Sequence, residues 1–320
     1  SEKVYPSPFN VEETYKRIKN SSSAELARDR SEIVGPWPNS YTLTKFIAEH
    51  LLVSRNAPKP VPLSICRPSI ISAALAEPVP GWTDCISAAS AVFLAIGMGI
   101  CPIMPGSIWS LGDVVPVDIC AHMIIATAAV GDSRMQSTVP VIHCGSSSWA
   151  EPMTWFSAID AVCQYFSAHP MARRIRAPSV KMVPNATSFD IQRYLNTHLP
   201  QRVAQFMESV SGSKTLSQLA RAIRSGDRVV EAFSYFTQNE WVFDSQFLHR
   251  ATQIQPPSLL LLHVRQIDWF QYMYMVCYGM RKFCLGEPHA EVPLNKSVVG
   301  DALARAKADL IQAQHPNPLS

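Results

Sequence analysis

Between Asn39 and Leu52 the chain reads NSYTLTKFIAEHLL, with a tyrosine and a lysine four residues apart in an amphipathic pattern. Residues at i and i+4 share one face of an α-helix, so Tyr41 and Lys45 point the same way, one turn apart. An ammonium held beside a phenol favours the phenolate and makes the hydroxyl a usable proton donor near neutrality. The pair therefore fits general-acid chemistry. The same spacing also suits a solvated helix face, and the two residues alone do not separate these readings.

The other chemistry-bearing side chains show no comparable pattern. Eight cysteines have neither C-x-x-C spacing nor the density of a secreted disulfide scaffold, and they read as reduced thiols of an intracellular protein. The nine histidines are dispersed, with no H-E-x-x-H, so no metal site is expected. The net charge is +3, and apart from MARRIR (Met171 to Arg176) the basic residues are scattered, which argues against nucleic acid as a partner.

The elements that must position Tyr41 and Lys45 follow an α/β order. A helical stretch, VEETYKRIKN, and a polar connector lead to the breaker GPWPNS, after which a helix is expected from about Tyr41 to Ser54. PLSICRPSII (Pro62 to Ile71) is short, apolar and flanked by turn signals, as a buried parallel strand should be. DVVPVDICAHMIIATAAV (Asp113 to Val130) reads as a short extended piece opening a helix, with Asp118 at its positive N-terminal end. TVPVIHCGSSS gives a further strand and turn, and EPMTWFSAIDAVCQYFSAHP a further helix.

Cys85 to Gly112 carries no charge, yet four glycines and two prolines break the run from Ser87 onward. A buried helix with a following loop fits better than a membrane span. Beyond about Met171 strand-like runs give way to helical patterns, ending in IDWFQYMYMVCYGMRKFCLGE, read as a helix packed on the preceding domain. With 320 residues and 47% hydrophobic content, two domains are expected, 1–170 and 171–320.

Taken in order, Tyr41-x-x-x-Lys45, CRPSII (Cys66 to Ile71) and VPVDIC (Val115 to Cys120) resemble an extended short-chain dehydrogenase/reductase. With EKVYP (Glu2 to Pro6), EPVPGWTD (Glu77 to Asp84), FSYFTQNEWVFD (Phe233 to Asp244) and VRQIDWFQYMYMVCYGMRKFCL (Val264 to Leu285), the chain resembles the fatty acyl-CoA reductases over nearly its whole length. That resemblance implies part of a Rossmann-like parallel sheet in an NAD(P)-binding reductase domain, followed by a mostly helical C-terminal domain. It also implies NADPH-dependent reduction of a long-chain acyl-CoA, through a bound aldehyde, to a primary fatty alcohol.

In the roles so implied, Tyr41 is the acid and Lys45 hydrogen-bonds the nicotinamide ribose, while Pro68, Ser69 and Ile70 form the loop beside the nicotinamide. Asp118 is expected to order its helix start rather than to transfer protons, and Arg67 reads equally as a paired structural arginine. The apolar stretch Ile86 to Met104 reads as an acyl-chain wall or as plain core. The resemblance further implies a peroxisomal or endoplasmic-reticulum setting and a possible membrane surface as partner.

Two departures qualify it. No Gly-rich phosphate loop occurs in these 320 residues, and Ser1 stands too close to EKVYP to be the family's catalytic serine. The chain is therefore expected to be the C-terminal portion of a reductase with an incomplete cofactor site. The alternatives are a truncated lipid- or partner-binding protein without catalysis, or a different extended reductase.

Overall fold

The computed structural model describes residues 2–56, 61–86, 89–130, 139–149, 151–243 and 266–287. Its N-terminal part is helical: α1 (Val11–Asn20), α2 (Ser23–Arg28), α3 (Arg30–Val34) and α4 (Ser40–Asn56). The connector after α1 thus folds as two short helices. Ser22 and Glu25 close a capping box there, a serine-x-x-glutamate signal that the polar composition obscured. On α4, Leu43, Ile47 and Leu51 recur every four residues and are buried in a small cluster with Phe9, Tyr15, Ile33 and Trp37. Tyr41 and Lys45 lie on the other side of the helix.

The strand expected over Pro62 to Ile71 is shorter and divided. β1 (Ile65–Pro68) pairs in parallel with β5 (Val141–Cys144), and β2 (Ile70–Ser72) pairs in parallel with β4 (Val114–Pro116). The handover falls at Ser69, whose N–H donates to Cys144 O at 2.8 Å, while the Ile70 N–H donates to Asp113 O at 3.0 Å. β5 and β4 are buried along their whole lengths, but β1 and β2 are not: Pro68 and Ile71 are exposed. The expectation of a fully buried strand is corrected accordingly. Between β2 and β4 run α5 (Ala89–Gly97) and β3 (Ile103–Pro105), and β4 leads directly into α6 (Val117–Val130).

The second half contains α7 (Trp155–Ala168), β6 (Lys181–Val183), α8 (Ala186–Arg193), a π turn (Tyr194–His198), α9 (Leu199–Ser211), α10 (Lys214–Gln238) and α11 (Trp269–Gly279), which ends in a second π turn (Met280–Leu285). β6 pairs in parallel with β3, so a strand does occur beyond Met171; three residues are too few to register as a periodic pattern. The polar tail beyond residue 287 lies outside the described residues. All three pairings are parallel and the helices outnumber the strands, an α/β arrangement compatible with a Rossmann-like nucleotide-binding domain.

One apolar core joins both halves. α5 is packed as core, with Phe93 and Ile96 fully buried and Gly97 against the Phe166 ring, where a Cβ would overlap. α11 lies against α7, and Tyr272, Met273 and Val276 are fully buried, which bears out the reading of the aromatic stretch as a packing helix. Among the described residues no helix is long and apolar enough to cross a membrane.

Candidate active site

Tyr41, Lys45 and Glu49 form one stripe along α4, each a turn beyond the last. Tyr41 is 64% exposed, and the Lys45 ammonium lies 5.5 Å from the centroid of its ring. Among the described residues neither Tyr41 Oη nor Lys45 Nζ has a hydrogen-bond or ion-pair partner. Glu49 does have one. Arg67 Nε donates to Glu49 Oε1 at 2.8 Å and Nη2 donates to Oε2 at 2.6 Å, a bidentate, partly buried fork. Arg67 Nη2 also donates to Lys3 O at 3.2 Å.

That fork has a positional effect. Arg67 immediately precedes Pro68, Ser69 and Ile70, so it registers the Tyr41–Lys45 face of α4 on the C-terminal end of β1. In parallel α/β sheets ligands bind beyond the carboxyl ends of the strands. Arg67 is thus a paired structural arginine, and Glu49 is the residue that sequence reasoning missed. Its place two turns beyond Tyr41 was the available signal.

The ends of β1 and β5 bring further polar groups together. Ser69 Oγ is buried with no hydrogen-bond partner among the described residues. Just beyond β5, the Ser146 N–H donates to Asp113 Oδ1 at 2.7 Å and its hydroxyl donates to Val114 O at 2.7 Å. The second Asp113 oxygen, Oδ2, is buried and unpartnered. A Cβ on Gly145 would stand 2.6 Å from it, so only glycine leaves that oxygen room. Pro68 is exposed and Ile70 half-buried at the kink between the two ladders. No hydrogen bond joins Pro68, Ser69 or Ile70 to Tyr41 or Lys45 among the described residues.

Asp118 has a different task. Its Oδ1 accepts from the Leu75 N–H at 3.0 Å, and its Oδ2 accepts from the Ala76 and Glu77 N–H groups at 2.8 and 3.0 Å. A further N–H, that of Ile119, reaches Oδ1 at 3.2 Å. The carboxylate therefore holds the loop at residues 75–77, at the entry to a cis Glu77–Pro78 bond, as well as its own helix start. On its other side the loop meets α11. Tyr272 Oη donates to Ala73 O at 2.6 Å, a Cβ on Gly279 would overlap Gly81 O, and a Cβ on Gly81 would stand 2.8 Å from Met275 O. The EPVPGW segment is fixed between α6 and α11, next to the strand end that carries Ser69.

Two family models, each described as male sterility protein, match the chain: an NAD-binding model over residues 1–124 and a second over residues 196–287. The chain is 26% identical to fatty acyl-CoA reductase 1 of Gallus gallus over 295 residues, covering 91% of this chain and 56% of the relative. The corresponding protein of Rattus norvegicus is 27% identical, and fatty acyl-CoA reductase wat of Drosophila melanogaster 24%, with the same coverage. The chain spans about half the length of the curated relatives it matches. One match covers the α/β part with Tyr41, Lys45, Ser69 and Asp118, the other α9 to α11, of which α11 packs on the EPVPGW loop. By these matches the chain belongs to the fatty acyl-CoA reductase family.

Proposed function

We propose that the chain carries the proton-donating side of an alcohol-forming fatty acyl-CoA reductase that uses NADPH. In this reading residues 1–170 are the C-terminal part of a Rossmann-like reductase domain and residues 171–320 its helical companion. The observation that carries it is the α4 stripe: Tyr41 and Lys45 present unpartnered polar ends, and the Glu49–Arg67 fork sets them on the strand end that bears Ser69.

The residues present fit one end of the cofactor. Lys45 Nζ is free to donate to a ribose hydroxyl, and the orphaned Ser69 Oγ is a buried polar group that awaits a partner. They do not supply a pyrophosphate cradle, for which a Gly-rich turn at a helix N-terminus is needed and none occurs in this sequence. When bound, NADPH supplies hydride, two equivalents for each acyl-CoA taken to alcohol. Tyr41 Oη would deliver the proton taken up by the substrate oxygen as the carbonyl is reduced, and Lys45 would stabilise the phenolate left behind. Pro68 and Ile70 would bound the site at the ladder kink. In the first reduction coenzyme A leaves as its thiol, and the aldehyde so formed must stay bound for the second.

The test is NADPH oxidation with palmitoyl-CoA, measured on the chain and on the chain joined to an upstream segment carrying a Gly-rich strand–turn–helix. The expected result is turnover in the joined form, lowered at least about a hundredfold by Tyr41→Phe and by Lys45→Met. A joined, folded form that binds NADPH but reduces no acyl-CoA would falsify the reading.

A further inference from the structure

The helix that runs from α8 through the π turn into α9 has its large apolar side chains turned outward. Ile191, Leu195, Leu199, Val203, Phe206 and Val210 are all exposed, Phe206 and Val210 at 70% and 74%, and Tyr194 and Met207 beside them are exposed as well. The opposite face carries the buried Phe189, Thr197 and Ala204, with Arg193 forked to Asp227 on α10. Ordinary packing puts the large apolar side chains inside.

The spacing of the outward stripe reads the same from either end. The π turn at Tyr194–His198 takes up one extra residue. Discounting it, the six residues fall at 0, 4, 7, 11, 14 and 18, within about 40° of one azimuth, and Tyr194 and Met207 fall at 3 and 15. In an uninterrupted helix Val210 would instead lie about 100° round the axis from Ile191. The alternation of four and three is the seam of a coiled coil. Every position also has a counterpart across the midpoint: Ile191 with Val210, Tyr194 with Met207, Leu195 with Phe206, Leu199 with Val203. A two-fold axis requires such a set, because in an isologous interface residue i meets j and j meets i.

Area and charge agree with a second copy as the occupant. Each of the eight side chains offers on the order of 100 Å², which brings the stripe near the roughly 800 Å² per partner of a standard interface. From Asp190 to Ser211 there are two acidic residues, Asp190 and Glu208, and two arginines, Arg193 and Arg202, so the helix carries no net charge with which to repel its own copy. Arg202, at the edge of the stripe near its midpoint, has its guanidinium 5.9 Å from the ring centroid of Tyr194, back toward the helix N-terminus. In an antiparallel pair the two Arg202 charges therefore turn away from the axis in opposite directions. A strict heptad seam is also narrower than the broad apolar face with a basic margin that lies in a membrane surface.

We propose that the chain forms a two-fold homodimer in which the α8–α9 helices pack antiparallel, Leu195 of one protomer against Phe206 of its partner. This does not depend on the catalytic reading of Tyr41 and Lys45.

The test is sedimentation equilibrium of the 320-residue chain over a range of concentrations. A dimer with a dissociation constant of about 1 μM or below is expected. Leu195→Lys and Phe206→Glu should each raise that constant at least about tenfold, because the axis places each new charge twice in an apolar seam. Combined in one chain, the two substitutions should bring it back toward the starting value, since the axis then sets opposite charges together in both symmetric layers. Within one helix the two positions are three turns apart and cannot meet. A chain that is monomeric at every concentration overturns the proposal; flotation with phosphatidylcholine vesicles and hydroxyl-radical labelling of Phe206 then tell whether lipid or the chain's own residues cover the stripe. A dimer that neither single variant weakens also overturns it, because its contact lies elsewhere. So does a double variant no better than the singles, which rules out the antiparallel register. If either variant fails to fold, Val210→Glu, at the most exposed position of the stripe, decides together with the mass of the unaltered chain.

Discussion

Four backbone N–H groups converge on the Asp118 carboxylate, three of them from the loop that precedes the cis Glu77–Pro78 bond. Asp118→Ala would leave those donors buried and unpaired, each costing on the order of 1–3 kcal/mol if water cannot enter. The expected loss is about 3 kcal/mol or more in urea unfolding, with Asp118→Asn milder because it keeps one acceptor oxygen. The cysteines divide by burial in the same way. Cys101 is wholly buried and its thiol is pushed up to about 12 by desolvation, whereas Cys85 is exposed. A disulfide reagent at pH 8 should therefore modify Cys85 within the native state and reach Cys101 only on unfolding. A histidine gives the pH dependence. Burial, and behind it the Arg281 guanidinium, hold the His169 imidazole below its ordinary value. Because the fold disfavours the charged form, the unfolded chain takes up its proton first as the pH drops. Stability from this site is complete above about pH 6.5 and falls as acidification proceeds toward the lower folded value. The urea midpoint should drop between pH 7.5 and 5.5, and drop less in His169→Gln.

At the scale of elements, the sequence was legible where one physical signal dominated. The α4 helix is set by its every-fourth apolar residue, and α7 by a similar stripe; both occur where the periodicity puts them. The Asp113–Val130 segment folds as read, strand into helix, with Asp118 at the junction. Besides α2 and α3 in the polar connector, the elements that escaped were three-residue strands, β3 and β6, held by tertiary pairing with each other and too short to show alternation. The kink at Ser69 escaped for a related reason: an apolar run says that a segment is extended, and not that it changes partners midway. The candidate site was half legible. Tyr41 and Lys45 announce themselves by spacing and Glu49 extends their stripe, but the Arg67 partner of Glu49 and the contacts of Asp113 and Tyr272 lie far off in sequence, which no local pattern encodes. The contact of Gly81 with Gly279 is of this kind as well. Gly81 has φ +77°, and a Cβ on Gly279 would overlap Gly81 O. Gly279→Ala must push α11 off the EPVPGW loop, at a cost of about 3 kcal/mol. Its thermal midpoint should fall, while Gly212→Ala, in a left-handed cap with open space around it, should lower the midpoint much less.

For the molecule as a whole the question is whether residues on either side of position 170 fold as one unit. The apolar core runs without a break from Ala73 to Met280, taking in β4, α5, α7 and α11. Polar ties cross it too: Tyr272 Oη donates to Ala73 O, Trp269 Nε1 donates to Glu151 O at 2.7 Å, and Arg281 Nη1 donates to His169 O at 2.7 Å. Neither half could be removed without exposing the buried face of α11 or of α7 to water, and burying such faces is the main term that holds a domain together. A single cooperative transition is expected, seen at the same temperature by far-UV circular dichroism and by tryptophan fluorescence. Tyr272→Phe supplies the sharper test. It deletes one hydroxyl and leaves Ala73 O unpaired in the core, a loss of about 1–2 kcal/mol. If the core is one unit, both signals shift together by the same amount. If the fluorescence transition moves while the helical signal does not, the helical second half melts independently, and α11 is a docked element resting on an α/β portion that stands without it.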